Sequence, residues 1–132
     1  MWCASVTPGQ NTFDELNVIQ AGDNYGWPAA EGLTQQPNLL SPLLVRGPAE
    51  ASPSGIGVTA SGTVHVAALR GQRVWTTSPA GAGMTQPVVF LDGLGRIRHV
   101  EVVGANLLIL TNNTARGTPR TGDDRLVTVP LE

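Results

Sequence analysis

Short strand-like runs separated by tight glycine turns are the feature that most constrains how this chain folds. A Ser-Gly pair at 61–62 separates "GIGVTA" from "TVHVAAL", and a Gly-Gln pair at 71–72 separates the latter from "RVWTTS". A Gly-Ala pair at 104–105 separates "IRHVEVV" from "NLLILT". Short loops that contain Gly join antiparallel neighbours. Because helical spacing of apolar residues free of Gly or Pro is nearly absent, the sequence predicts an all-β fold.

The predicted strands group into antiparallel meanders. Residues 55–91 give four consecutive strands, a second meander that starts at Ile97 gives three, and the segment before residue 20 gives two. Four antiparallel strands over about 40 residues are the repeat of a β-propeller blade, so we predict a partial β-propeller of about two to three blades. The predicted strands are Trp2–Val6, Glu15–Ile19, Gly55–Ala60, Thr63–Leu69, Arg73–Ser78, Gln86–Leu91, Ile97–Val103, Asn106–Thr111 and Arg125–Val129.

A single domain of this kind accounts for residues 1–132, a length that fits one domain. Within it, residues 1–28 are predicted to be a blade fragment, 55–93 a complete blade and 94–132 an incomplete blade. Residues 29–54 are rich in Pro and are predicted to form one long loop.

The composition argues against several classes of partner. The net charge is -2 and charged residues make up 14% of the chain, whereas a nucleic-acid-binding protein shows a basic patch or stripe. The chain has no run of about 18 apolar residues, so no segment is predicted to span a membrane. The opening "MWCASVTPGQ" has no basic region and no long apolar core, so it is not a secretory signal as it stands. Cys3 is the only cysteine, which excludes an internal disulfide.

Two arginines in "GRIRHV" form the first candidate site. Arg96 and Arg98 are separated by one apolar residue, so both are predicted to point to the same face of a strand. Like charges on one face repel each other, which indicates an anionic partner, and a guanidinium pairs with a carboxylate bidentately. The alternative is two solvated arginines on an edge strand. All cationic residues of the chain are Arg and none is Lys, which is also what a genome-wide codon bias would give.

The second candidate site is "DELNVIQAGDNYGWP", residues 14–28. It begins as a strand-like run and ends in turn formers around two aromatic residues. Gly22, Gly26 and Pro28 provide the sharp turns.

Five segments together resemble the C-terminal part of the soluble PQQ-dependent glucose/sorbosone (aldose sugar) dehydrogenase family, and the resemblance covers nearly the whole chain. Members of that family are six-bladed β-propellers that bind pyrroloquinoline quinone (PQQ) and calcium and oxidise aldose sugars at the anomeric carbon. The resemblance therefore implies a partial six-bladed propeller and a sugar substrate. Family members are periplasmic or extracellular, and the location of this chain is left open. The segments are "DELNVIQAGDNYGWP" (14–28), "PSG" (53–55), "GRIRHV" (95–100), "TNN" (111–113) and "DDRLVTV" (123–129).

The resemblance implies a calcium site in the acidic segment. It assigns the side chain of Glu15, the carbonyl of Tyr25 and a backbone ligand near Glu31 to the metal. Calcium takes six to eight oxygen ligands in flexible geometry, which suits such a mixed set. The alternative is that Tyr25 and Trp27 are packing aromatics and that Glu15 caps a turn.

The resemblance also implies a PQQ site. It assigns Arg96 and Arg98 to the carboxylates of the quinone, and it places Arg70 near the cofactor, although Arg70 fits a plain hairpin residue equally well. His99 stands where the family usually has Asp. The "TPGQ" segment at 7–10 lies where family carbonyls bind the cofactor-associated calcium.

The catalytic base implied by the family is a histidine in the N-terminal half of the enzyme. His65 is a lone strand histidine and is predicted to be structural, and His99 is predicted to point away from the arginine pair. We therefore expect the chain to keep part of the cofactor and calcium sites and to be inactive alone.

The predicted partial propeller is not a closed ring, and this suggests an alternative function. Two or three blades cannot close a ring, so sheet edges are expected to stay exposed. Self-association into a homo-oligomer, or pairing with a missing N-terminal propeller half, would cover them. The chain would then be a non-catalytic assembly module or, with a separate N-terminal partner, part of a complete enzyme.

Overall fold

The computed structural model describes residues 13–81 and 83–131, together with the backbone of strand residues 2–5. The regular structure of this part is almost entirely β-strand, which confirms the predicted all-β fold. No helix in the described residues is long and apolar enough to cross a membrane. The elements are β1 (Trp2–Ser5), β2 (Asp14–Val18), β3 (Leu44–Arg46), β4 (Pro53–Val58), β5 (Val64–Ala68), β6 (Arg73–Thr77), β7 (Pro79–Ala80), β8 (Gly83–Met84), β9 (Val88–Leu91), β10 (Ile97–Val103), β11 (Asn106–Thr111), α1 (Asn113–Arg116) and β12 (Leu126–Pro130).

The first sheet has the antiparallel order β1-β2-β3. Its third strand corrects the prediction of an unbroken loop over residues 29–54, because Leu44 pairs with Leu16 and Arg46 pairs with Asp14. Leu44 also packs against the buried cluster that contains Leu16, so tertiary contacts stabilise a strand too short to predict from its own pattern.

The second sheet has the order β4-β5-β6-β9 and confirms the four-stranded meander predicted over 55–91. A two-stranded hairpin of β7 and β8, which the sequence did not predict, lies between its last two strands. Every residue of β5 is buried. Val64 and Val66 belong to a cluster with Leu16 of the first sheet, whereas Ala67 packs with Ile97 of the third. The second sheet is therefore covered on both faces.

The third sheet has the order β10-β11-β12. Val103 pairs with Asn106 across the two-residue turn predicted at 104–105. The largest fully buried side chains of the core include Ile97, Leu107 and Ile109 from this sheet.

The three sheets follow one another in chain order. Strand β4 contacts β1 of the preceding sheet and β10 of the following one, and β10 also contacts β5. Antiparallel sheets that follow one another along the chain and pack face to face are arranged like the blades of a propeller. The described residues therefore form part of a β-propeller.

Candidate functional site

The arginines predicted to bind the cofactor lie together at one end of the sheets. The Ser54 hydroxyl in β4 donates to the carbonyl of Ile97 in β10 at 2.8 Å and lies 3.4 Å from the carbonyl of Ala67 in β5. Arg96 and Arg98 flank Ile97, and the turn that carries Arg70 follows directly after β5. All three arginines therefore lie at the same end of adjacent sheets.

Arg98 occupies a β-bulge. The register passes from Ile97 opposite Thr111 to His99 opposite Leu110, which leaves Arg98 as the additional residue of β10. Ile97 and Val100 are buried, whereas both Arg98 and His99 are exposed. The bulge thus breaks the strict alternation from which we predicted opposite faces for these two side chains.

His99 lies over the neighbouring sheet and beside an acidic residue. A Cβ atom on Gly55 of β4 would lie 2.6 Å from the Nδ1 atom of His99, so only glycine leaves room for the ring. The Nε2 atom of His99 is 3.5 Å from a carboxylate oxygen of Glu101, and both side chains are more than half exposed. This histidine therefore borders the arginines without being buried among them.

Arg96 has a fixed backbone and an unpaired donor. Its N–H donates to Oδ1 of Asn113 at 2.7 Å, and its carbonyl accepts from the N–H of Asn112 at 2.9 Å. Its Nε atom is buried and has no hydrogen-bond partner in the described part of the chain. A buried charged donor without an acceptor is costly, so this arginine fits an anionic ligand.

Asn113 and two aspartates form a network around Arg96 that sequence reasoning missed as functional. The side-chain amide of Asn113 donates to the carbonyl of Leu94 at 2.9 Å and to Oδ2 of Asp123 at 3.1 Å. Its backbone N–H donates to Oδ1 of Asp124 at 2.5 Å. The signal in the sequence was the pair of segments "TNN" and "DDRLVTV", which carried the family resemblance, and "TNN" was interpreted as turn residues.

Hydrogen bonds to these two carboxylates lower their pKa values. The backbone N–H of Arg120 makes the largest contribution for Asp123, and the side chains of Arg125 and Asn113 add to it, so the pKa of Asp123 lies below its ordinary value. The pKa of Asp124 is lowered chiefly by the hydroxyl of Thr114, which donates at 2.6 Å. Both residues are therefore held as carboxylates in the folded protein.

This network predicts a specific sensitivity to acid. Below the ordinary aspartate pKa of 3.8, the unfolded chain takes up protons on Asp123 and Asp124 before the folded protein does. The free energy of unfolding should therefore fall as the pH drops from about 4 toward the lowered folded pKa values. Denaturant unfolding at a series of pH values will measure the slope, which should be smaller in Asp124→Asn by up to about one proton.

The control for that measurement is Asp92→Asn, which removes one negative charge from an exposed aspartate outside the network. It should leave the acid slope of the wild type in place. Equal slopes for wild type and Asp124→Asn would contradict the assignment.

The acidic segment brings two predicted calcium residues to neighbouring positions. The carboxylate of Glu15 accepts from the N–H of Gly32 at 2.5 Å, and the carboxylate of Glu31 accepts from the N–H of Phe13 at 3.0 Å. These bonds fold the loop that follows β2 back against the start of that strand. Gly32 has a φ of +73°, which favours glycine at this turn.

Asn17 supplies an unpaired oxygen beside Glu15. Its amide nitrogen donates to the carboxylate of Glu15 at 3.3 Å, and its Oδ1 atom is buried with no hydrogen-bond partner in the described residues. A buried oxygen beside a carboxylate fits a hard cation such as calcium. The described residues contain no group of three or more His, Cys, Asp or Glu side chains that could hold a metal, so backbone carbonyls would have to complete the set.

The side chain of Tyr25 lies at the other end of β2. Its hydroxyl accepts from the N–H of Gln20 at 2.7 Å and donates to the carbonyl of Val18 at 2.8 Å. These contacts give the tyrosine side chain a structural role, in line with the alternative interpretation of this segment. The backbone carbonyl of Tyr25 stays a predicted calcium ligand. Trp27 is 62% exposed and is therefore not a packing aromatic within the described residues. The "TPGQ" segment at 7–10 lies outside the described residues.

His65 is buried in the middle of β5. It is 3% exposed, its Nδ1 atom has no partner in the described residues, and its ring packs edge-on against Phe90 at a centroid distance of 5.0 Å. Burial lowers its pKa, so the neutral form is favoured. The structural role predicted for this histidine agrees with this position.

Antiparallel blades arranged in succession, with arginines gathered at one end of their sheets, define the chain as part of a β-propeller protein. The family model of glucose/sorbosone dehydrogenases matches residues 2–120, and the chain belongs to that family. A search of curated proteins found no match.

Solved structures agree with this assignment. The PQQ-bound form of an aldose sugar dehydrogenase from Streptomyces coelicolor is 40% identical with a TM-score of 0.89, and the match covers 99% of this chain and 40% of that one. An oxidoreductase from Thermus thermophilus, described as a glucose dehydrogenase, is 32% identical with a TM-score of 0.77, over 87% of this chain and 36% of that one.

A third structure supports the fold alone. The apo-form of the soluble aldose sugar dehydrogenase from Escherichia coli is 24% identical with a TM-score of 0.65, over 82% of this chain and 40% of that one. The chain thus spans about two fifths of the length of the relatives that it matches.

Proposed function

We propose that this chain supplies the carboxylate-binding arginines of a PQQ site in an aldose sugar dehydrogenase. The observation that carries the proposal is the buried, unpaired Nε atom of Arg96, at the end of the sheets where Arg98 and Arg70 also lie. Family membership and the similarity to a PQQ-bound aldose sugar dehydrogenase support it.

The three arginines have two roles in this proposal. Arg96 donates from a fixed, half-buried position, so it orients one carboxylate of the quinone. Arg98 and Arg70 are exposed, and they add positive charge that attracts the other carboxylates. When bound, the quinone is the electron acceptor for oxidation of the sugar.

We further propose that the acidic segment binds calcium. Glu15 would provide a carboxylate, and the carbonyls of Tyr25 and of the chain near Glu31 would provide backbone oxygens. The unpaired Oδ1 atom of Asn17 beside Glu15 supports an oxygen-rich site here.

The oxidation step itself is proposed to need residues beyond those described. His65 is buried within a strand, and His99 is exposed beside Glu101. By the family resemblance, neither histidine corresponds to the general base, which lies in the N-terminal half of those enzymes. The chain alone should therefore bind the quinone without oxidising aldoses, and turnover of glucose with an electron-accepting dye would contradict this.

Titration with PQQ in calcium-containing buffer tests the proposal. The wild-type chain should bind the quinone, and Arg98→Ala and Arg96→Ala should each weaken binding by about tenfold or more, the scale of a lost charge-assisted hydrogen bond. Arg116→Ala removes an exposed positive charge from α1 nearby and should change the affinity by less than about twofold. In separate samples prepared without calcium, adding calcium should raise the melting temperature of the wild type and not that of Glu15→Gln.

The outcomes separate clearly. If the wild type shows no binding of PQQ, the proposed cofactor role is rejected. If Arg116→Ala weakens binding as much as Arg98→Ala, the interaction is general electrostatic attraction and no specific site exists. An unchanged melting temperature on adding calcium would reject the metal site.

An exposed apolar face on the third sheet favours a second candidate function, that of a self-associating module. Leu110 and Leu126 are paired across neighbouring strands and are 42% and 68% exposed, and Val103 on the same sheet is 51% exposed. Exposed apolar side chains that lie next to each other, as Leu110 and Leu126 do, are typical of an interaction site. We propose that a second copy of the chain, or further blades of a propeller, covers this face.

Native mass measurement with and without calcium tests the second candidate. A dimer or larger ring at micromolar concentration is the expected result. A monodisperse monomer under both conditions would rule out self-association.

A further inference from the structure

We propose that Asn113 is a positioning residue for Arg96, and that Asp123 and Asp124 act by holding Asn113 in place. The significance of this arrangement for quinone binding rests on the proposed function. The geometry itself stands without it, because it concerns only contacts within the chain.

The backbone of Arg96 is held from both sides by the segment that begins α1. Its N–H donates to the side chain of Asn113, and its carbonyl accepts from the backbone N–H of Asn112. A residue whose N–H and carbonyl are both bound to one neighbouring segment has little freedom to rotate, so the start of its side chain has a set direction.

Asn113 is itself immobilised. It is 2% exposed, and its amide nitrogen is bound by Leu94 and Asp123 while its backbone N–H is bound by Asp124. Asp124 is in turn held by the hydroxyl of Thr114 at 2.6 Å. The position of Arg96 therefore depends on a chain of contacts that does not include the guanidinium.

Two glycines show how closely this network is packed. A Cβ atom on Gly95 would lie 2.8 Å from Cγ of Asn113, and Gly95 has a φ of +80°. A Cβ atom on Gly117 would lie 2.9 Å from Cα of Asn113 and 3.0 Å from Cδ of Arg96. Gly117 thus forms the wall along which the Arg96 side chain runs, and it fixes the path of that side chain beyond its backbone.

The chemistry at position 113 requires an amide. The oxygen must accept from the N–H of Arg96, and the nitrogen must donate both to a carbonyl and to the carboxylate of Asp123. An aspartate has nearly the same shape, but it would place a second carboxylate against Asp123 and against the carbonyl of Leu94. The substitution Asn113→Asp therefore removes the donors and keeps the acceptor.

Solvent exchange of the Arg96 Nε–H, followed by NMR, tests the positioning directly and needs no cofactor. This proton is buried in the wild type, so it should exchange slowly. Asn113→Asp should speed its exchange by about tenfold or more, because two hydrogen bonds to the amide are lost. The neighbouring Asn112→Asp is the matched control, since the Asn112 side chain does not cap α1, and it should change exchange by less than about twofold.

A second variant covers the case in which Asn113→Asp does not fold. Thr114 is exposed and contacts the network only at its edge, so Thr114→Ala should fold. It should speed exchange of the Arg96 Nε–H by about threefold, because one hydrogen bond to Asp124 is lost. If both variants fold, an unchanged exchange rate of the Arg96 Nε–H in both would overturn the proposal. If only Thr114→Ala folds, an unchanged rate in that variant would overturn it.

A double-mutant cycle separates positioning from general structural support. In the wild-type background, Asn113→Asp should weaken PQQ binding by about tenfold. In the Arg96→Ala background it should cause no further loss of affinity while still lowering the melting temperature. Equal losses in both backgrounds would show a structural role only. If the wild type binds no PQQ, the proposed function fails, whereas the exchange measurement still decides the role of Asn113.

Discussion

Substitution of Gly71 by alanine is expected to destabilise the protein by about 3 kcal/mol or more, a large share of the total stability of a small domain. Gly71 is buried, and a Cβ atom there would lie 2.6 Å from the carbonyl carbon of Glu50. Hydrogen bonds hold both the turn at Gly71 and residues 50–51 in place, so neither can move away from the other. The Gly71 N–H donates to the carbonyl of Ala51 at 3.1 Å, and the indole of Trp75 donates to the carbonyl of Glu50 at 3.2 Å.

Guanidinium unfolding of the purified variant measures this effect. Gly83→Ala is the matched control, because a Cβ atom there has open space and the backbone is not in the left-handed region. The control should stay within about 0.5 kcal/mol of wild type. A similar midpoint for Gly71→Ala and Gly83→Ala would mean that segment 50–51 can move away from the turn. Because this turn carries Arg70, such movement would also loosen that arginine.

The second large effect is expected for Ile109→Ala, at about 2–5 kcal/mol of lost stability. The Ile109 side chain is fully buried in the cluster that joins the second and third sheets, where it packs with Ile97, Val100 and Leu107. Removing three carbon atoms leaves a cavity between two blades, and the surrounding strands are too well paired to collapse into it.

The next residue along the same strand provides the control. Leu110 points to the opposite face of β11 and is 42% exposed, so Leu110→Ala should cost less than about 1 kcal/mol. Thermal or denaturant unfolding of both variants measures the difference. Equal losses would mean that both faces of the strand contribute equally to stability and would contradict the blade packing described above.

The strands that sequence reasoning located best are those bounded by strong turns. Ile97–Val103 and Asn106–Thr111 have the predicted bounds, because a two-residue Gly-Ala turn fixes their pairing locally. Leu44–Arg46 and the β7–β8 hairpin escaped prediction for the opposite reason. These strands have two or three residues each, too few to show a period, and they exist because neighbouring elements supply the pairing.

The candidate site was likewise predictable in part from the sequence. The identities of Arg96, Arg98 and Glu15 followed from motifs, and their proximity to other elements followed from the fold. The bulge at Arg98 and the clamp of Asn113 on Arg96 depend on hydrogen bonds between segments 11 to 17 residues apart, which no local pattern encodes. The unpaired Nε atom of Arg96 is likewise a property of packing.

The extra residue of β10 has an evolutionary consequence. Because Ile97 and Val100 are both buried although three positions apart, the interior placement of this strand depends on its residue count as well as on its residue types. Loss of the codon for Arg98 would remove the bulge and leave Val100 on the core face, whereas loss of one codon within 99–102 would exchange the solvent and core faces of the residues beyond it. Related genes are therefore expected to lack a residue at position 98 more readily than at any other position of this strand.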